Sequence, residues 1–198
     1  MEYDFKGEIV QGYKIRETVH ICGKDYVLAE NPKAVQPYVT WQRTANDLIS
    51  SYDCGHYFNN YLEAMIDLTE RIRQEAQYIL DYREEHNIET TPFTPDACIP
   101  GSENMDYNGK FVLIKASALA PEYRIPSNQV YRAEGGFGCS PTGRGTKVYC
   151  RNIFDNDEQE RWRRHDIAGI VDPAKVPEKF RERMALIEAK IKDSDLER

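Results

Sequence analysis

The chain has 198 residues, 40% of them apolar and 30% charged, and a formal net charge of −7. This balance excludes the disordered and membrane-embedded classes, and the length holds one sizeable core or two small ones packed together. The negative excess argues against nonspecific coating of DNA or RNA, because phosphate binding draws on concentrated positive potential, and leaves a local basic patch open.

The charge is unevenly placed: residues 1–100 hold 9 Lys and Arg against 17 Asp and Glu, and residues 101–198 hold 17 against 16. No run approaches the roughly 18 apolar residues of a spanning helix, and the acidic start Met1-Glu2-Tyr3-Asp4 lacks the basic and apolar regions of a signal peptide. A cytoplasmic protein without membrane association is expected. Cys22, Cys54, Cys98, Cys139 and Cys150 are odd in number and widely spread, which fits reduced thiols better than a disulfide framework.

Residues 8–19 are rich in Ile, Val, Tyr and Thr, residues 22–25 supply a turn, and Tyr26-Val27-Leu28 resumes a strand, so a hairpin is predicted. After Asn31-Pro32 and Gln36-Pro37, Tyr38-Val39-Thr40-Trp41 predicts a third strand. Residues 44–57 are polar and predict an irregular loop. Apolar side chains then recur every three or four residues from Phe58 through Tyr61, Leu62, Met65, Leu68, Ile72, Ala76 and Ile79 to Leu80. They predict one long amphipathic helix over about residues 59–86, capped by Asn59 or Asn60.

Pro92, Pro95, Pro100 and Gly101 place a linker at residues 91–109. Residues 110–116, 128–133, 146–152 and 161–170 then predict four short strands. Val176, Phe180, Met184, Ile187 and Ile191 stripe a C-terminal helix whose first turn suits Pro177. The fold class is therefore α+β. An N-terminal antiparallel meander with a long helix (residues 1–90) precedes a small, strongly bent antiparallel sheet or partial barrel with a C-terminal helix (residues 110–198), the two sharing one packed domain or forming two.

Several constellations could carry chemistry. His20, Cys22, Cys54 and His56 are a legitimate tetrahedral zinc set, but no pair has knuckle spacing, and ordinary core and surface roles weigh more. Cys139 or Cys54 could be a nucleophile with His165 or His56 as base, although no local signature of a cysteine, serine or metal hydrolase accompanies them. Residues 134–145 hold five glycines, and with Arg144, Lys147 and Arg151 they could form an anion nest. No helix follows to add its dipole, so a long hairpin with Phe137 tucked into the core is favoured. No cofactor is implied.

Between residues 124 and 164, eight Lys and Arg face five acids, with Tyr123, Tyr131, Tyr149 and Trp162 interleaved. Arg with aromatic residues is the composition of protein hot spots and of single-strand grooves alike. The expected binding residues are Tyr123, Arg124, Tyr131, Phe137, Arg144, Lys147, Arg151, Trp162, Arg164 and His165, engaging a protein or nucleoprotein.

Two stretches carry a resemblance. The first is residues 13–41, with Val27-Leu28-Ala29-Glu30-Asn31-Pro32 and Pro37-Tyr38-Val39-Thr40-Trp41, followed by Gly55-His56-Tyr57-Phe58. The second is residues 121–170, with Pro121-Glu122-Tyr123-Arg124, Gly135-Gly136-Phe137-Gly138-Cys139-Ser140-Pro141 and Trp162-Arg163-Arg164-His165-Asp166-Ile167-Ala168-Gly169. Together, over about two thirds of the chain, they resemble uncharacterised accessory proteins of conjugative transposons, plasmids and phages of gut Firmicutes. The resemblance implies a mobile-element context, in which such cargo tunes transfer or blunts host defence, and carries over no catalytic residue. It frames three expectations. The first is a non-enzymatic binding protein that inhibits host defence. The second is an enzyme on nucleic acid or nucleotide using the glycine-rich loop with Arg144, Arg164 and His165. The third is a metal-stapled structural module.

Overall fold

A computed structural model describes residues 6–45, 50–155 and 158–196. The acidic start Met1–Asp4, residues 46–49 of the expected loop and Asp157, one of the five acids between residues 124 and 164, lie outside the described residues. The fold is α+β, with two antiparallel sheets, one curled as a half-barrel, and two helices. The chain divides into two compact units, Met1–Asn87 and Ile88–Arg198.

In the first unit β1 (Ile9–Val10), β2 (Tyr13–Ile21), β3 (Lys24–Glu30), β4 (Tyr38–Ala45) and β5 (Ser50–Phe58) follow one another as a meander. Ile21 pairs Lys24, so Cys22-Gly23 is a two-residue turn with φ of 46° and 81°. Both central residues are left-handed, as a hairpin of this hand requires. One sheet face buries Tyr13, Ile15, Val27, Ala29, Val39 and Trp41; the other sets Tyr26 and Leu28 against Ala64 and Leu68 of α1 (Tyr61–Glu85).

Residues 50–57 belong to β5, paired along β4, and not to the expected loop. The strand is mostly exposed, so it lacks the apolar alternation that identifies one. A bulge opposite Trp41 contains Cys54 and Gly55, where an added Cβ would lie 2.7 Å from the Trp41 Nε1. α1 begins at Asn60, whose side chain accepts the Leu62 N–H, as expected of a cap. Its buried stripe is shorter than expected: Leu62 and Leu80 are exposed, and only Ala64 and Leu68 are fully covered. Twenty-five residues rise about 37 Å, more than five strands at about 4.8 Å can underlie.

In the second unit the strand order is β10-β9-β8-β7-β11-β6, with β6 at Cys98–Pro100, β7 at Phe111–Ile114, β8 at Val130–Gly135, β9 at Lys147–Asn152, β10 at Gln159–Arg163 and β11 at Ile167–Val171. The segment expected to be a linker is structural. Ala97 and Cys98 enter the core, β6 pairs β11, and Pro100 sits on the edge strand, where a missing N–H is tolerated. Fully buried Gln129 ties the same segment down. Its amide accepts from Phe93 N (2.7 Å) and donates to Phe93 O and Ile114 O (3.1 Å each). The expected strand over residues 161–170 is two strands, broken by a 3-10 turn at Arg164–Asp166 where Asp166 Oδ2 accepts the Arg163 N–H.

One face of this sheet packs Phe111, Leu113 and Val130 against Val176, Phe180 and Met184, the last two on α2 (Glu178–Leu196), as the apolar stripe predicts. The other buries Val112, Ile114, Tyr131, Ala133, Val148 and Cys150. Among the described residues no helix is long and apolar enough to cross a membrane.

Candidate functional site

Alternation along β8, β9 and β10 decides which side chains can act together. Tyr131 pairs Asn152, while Val148 pairs Trp162 and Cys150 pairs Glu160, so all six share a face. Arg132 pairs Arg151, Tyr149 pairs Arg161 and Lys147 pairs Arg163, and these lie on the opposite face.

The first face opens into a cleft of about 670 Å³ lined chiefly by Tyr123, Tyr131, Asn152, Phe154, Glu160 and Trp162. Tyr131 and Trp162 meet edge to face, their ring centres 5.6 Å apart. Phe154 is 39% exposed and packs edge-on against buried Phe180 at 5.0 Å, so it presents a surface to the cleft while anchored in the core. Asn152 shapes the wall: its Nδ2 donates to Ser127 O (2.9 Å), and its Oδ1 accepts from the backbone N–H of Phe154 (2.8 Å) and Asp155 (3.2 Å). The Trp162 indole N–H is buried and meets no acceptor among the described residues.

The Tyr131 hydroxyl donates to Glu160 Oε1 at 3.0 Å. Desolvation raises the Glu160 carboxyl above its ordinary 4.5; the Tyr131 hydrogen bond opposes this, and the negative charges of Asp155 and Glu158 add to it. Burial first and the Glu160 charge second hold the Tyr131 phenol above its usual range. The cleft is thus an aromatic slot with a carboxylate-rich mouth, to which α2 adds one cation, Lys179. Such a slot fits an apolar or aromatic group bearing a nearby positive charge.

Of the ten expected binding residues, the structure brings Tyr123, Tyr131 and Trp162 together in the cleft. Lys147 and Arg151 lie on the other face. Arg124 Nε donates to Leu119 O (3.1 Å) and braces a turn. Phe137 is 76% exposed, not tucked into the core, and Arg144 is exposed in the same connection. Arg164 is turned inward, donating to the carbonyls of Ser102 (3.0 Å), Glu103 (3.1 Å), Met105 (2.6 Å) and Cys139 (3.3 Å). His165 is exposed beside Asp166, Nε2 to Oδ1 3.3 Å. The arginines therefore do not form the single patch expected of them. Asn152, Phe154 and Lys179 carry no sequence signal for the cleft, and Glu160 enters only as one of the acids near the arginines; alternation along β10, which places Glu160 two residues before Trp162 on one face, is the signal that joins it to the site.

The glycine-rich loop folds on itself. An added Cβ at Gly136 would lie 2.5 Å from Lys147 O, at Gly138 2.5 Å from Thr146 O, and at Gly143 1.8 Å from Phe137 O. Three of its amides are spent internally: Gly138 N–H reaches Lys147 O, Cys139 N–H reaches Gly136 O, and Gly143 N–H reaches Ser140 O. Close backbone packing accounts for these glycines, and an anion nest would need the same N–H groups.

The other constellations are likewise dispersed. Buried Cys139 donates its thiol to Gly135 O (2.9 Å), and desolvation pushes that thiol up, the opposite of an activated nucleophile. His20 Nδ1 lies 2.7 Å from Asp25 Oδ1 and His56 Nδ1 lies 2.8 Å from Asp67 Oδ1, each on its own carboxylate. Among the described residues no three His, Cys, Asp or Glu side chains converge as metal ligands. Comparison of the chain with models of protein families, with curated proteins and with solved structures finds no match.

Proposed function

We propose that the protein is a non-enzymatic binding protein whose cleft receives an apolar or aromatic side chain flanked by cationic residues on a protein partner. The observation that carries this reading is the joining of the Tyr131–Trp162 pair to Glu160, with Asp155 at the same mouth. Aromatic residues in a desolvated pocket are where binding energy concentrates, and acids around it select a basic flank. The resemblance to mobile-element accessory proteins supplies the setting: the partner belongs to the host, and the protein acts there as an inhibitor of host defence.

Short peptides presenting Phe or Trp between Lys or Arg provide the test. Binding is read by 19F NMR of protein labelled with 5-fluorotryptophan, which has one resonance for each of its two indoles. A saturable shift of the Trp162 signal is expected, lost in Glu160→Lys and absent with acid-flanked peptides. No response, or an equal response to both peptide classes, rejects the reading.

A further inference from the structure

α2 covers only part of its sheet face, over Phe111, Leu113 and Val130. On the same face Lys147, Arg151, Arg161 and Arg163 flank Tyr149, which is 37% exposed, and part-buried Arg132, its Nε covered, lies opposite Arg151. Two pairs put like charges directly opposite, Arg132 with Arg151 and Lys147 with Arg163, an arrangement that destabilises a sheet. Glu134 offsets Arg151 at 3.0 Å and also accepts from Gln159 Nε2 at 2.9 Å. Among the described residues no carboxylate pairs with Arg132, Lys147, Arg161 or Arg163. Four cations without a carboxylate partner among the described residues, beside the Arg151–Glu134 pair and in a chain that is acidic overall, are a local surface that an anionic partner would relieve.

We infer that this uncovered face of β8, β9 and β10 binds single-stranded nucleic acid, its cations meeting phosphates and Tyr149 stacking on a base. Arg161 and Arg163 stand roughly 6.6 Å apart along β10, Lys147 and Arg151 about 13 Å apart along β9 with Tyr149 between them, and neighbouring strands lie about 4.8 Å apart, an arrangement that a flexible phosphate chain can follow. An open sheet face bearing an aromatic among cations suits unstacked bases; a duplex would require an element that enters a groove, and these three strands present a broad face instead. An acidic peptide would satisfy the cations but leave the ring without a stacking partner. The surface is distinct from the cleft and does not depend on the function proposed for it.

The test uses the full chain and a fluorescein-labelled oligo-dT of about 15 nucleotides, followed by anisotropy. Affinity should fall steeply with salt, by about 2 to 3 log units per log unit of salt for three to four neutralised phosphates. The double variant R161E/R163E should weaken binding at least about tenfold, and Tyr149→Ala about tenfold with rescue by Tyr149→Phe. R161Q/R163Q serves if charge reversal impairs folding, and Trp162→Ala should bind the oligonucleotide like the parent while losing the peptide. Four results overturn the inference: no binding at about 50 mM salt, duplex bound as well as single strand, equal competition by a poly-glutamate peptide, or variants indistinguishable from the parent.

Discussion

The Arg164 guanidinium lies over the Tyr107 ring, 4.6 Å from its centre, while its N–H groups reach carbonyls in two chain segments, residues 102–105 and 138–139. A cation so engaged ties the glycine-rich loop to residues 102–105, with both terminal nitrogens of its guanidinium given to backbone carbonyls. Its planar fork matches several carbonyls at once, which an ammonium cannot.

Arg164→Ala should therefore destabilise the second unit by about 2 kcal/mol or more, because part-buried carbonyls lose their donor and Tyr107 its cation. Arg164→Lys should recover less than half. The Trp162 19F resonance followed through a urea titration checks this: the midpoint should fall with little change in slope. A midpoint within error of the parent would return Arg164 to the pool of ligand-binding residues.

Glu160 sets a pH dependence with a definite sign. Its folded carboxyl is raised, so above 4.5 the unfolded state releases this proton first, and the contribution to stability declines as pH climbs through the folded value. Glu160→Gln should flatten the profile in that window. Affinity for the basic peptide should move the other way, strengthening as the carboxylate forms. Tyr131→Phe removes the hydrogen bond that opposes the shift, so the rise in affinity should come at higher pH. Stability and peptide titrations at several pH values in these variants read both effects.

How far the sequence reveals this architecture depends on whether a residue's role is local. Asn60 and the Val176, Phe180 and Met184 stripe announce the two helices because capping and helical period are local. β5 and β6 stay hidden because the edge strands that close each sheet are exposed or carry proline, and only pairing with a distant strand defines them. The same division holds at the site. Tyr131 and Trp162 stand out as aromatic, whereas their union with Glu160 and Asn152, and the separation of Lys147 and Arg151 from them, come from register across β8, β9 and β10. Alternation within β10 already sets Trp162 apart from Arg161 and Arg163, so the division of that cluster into two faces was legible in part.

Gly169 shows what register demands of the backbone. It lies at a bulge in β11, where an added Cβ would come 1.9 Å from Ile99 O and 3.0 Å from Cys98 Sγ. Gly169→Ala must push β6 off the edge of the sheet or displace β11, at a cost of about 1–3 kcal/mol. Amide exchange should locate the damage, with protection lost in β6 first. Unchanged protection there would mean that β6 is not held by this close approach.

Asp67 makes the comparable connection in the first unit, but with charge. From α1 it accepts the Thr40 hydroxyl of β4, lies 2.8 Å from His56 Nδ1 of β5 and is 3.2 Å from Arg71 Nε on its own helix. Because α1 buries only Ala64 and Leu68 completely, this carboxylate bears an unusual share of the docking of helix on sheet. Removing it leaves the buried Thr40 hydroxyl without its acceptor and Arg71 with only the Cys54 carbonyl, so Asp67→Ala should destabilise this unit by about 2–3 kcal/mol. Asp67→Asn keeps one acceptor oxygen but loses the charge, and should fall between the parent and the alanine variant. Trp41 lies in the core of this unit and Trp162 in the other, so the two 19F resonances report the units separately. The Trp41 transition should move to lower urea while the Trp162 transition stays near that of the parent. If Trp41 does not move, the apolar contacts, with the Glu75 bonds to Lys24 Nζ and the Tyr26 hydroxyl and the Arg71 bond to the Cys54 carbonyl, seat α1 without Asp67.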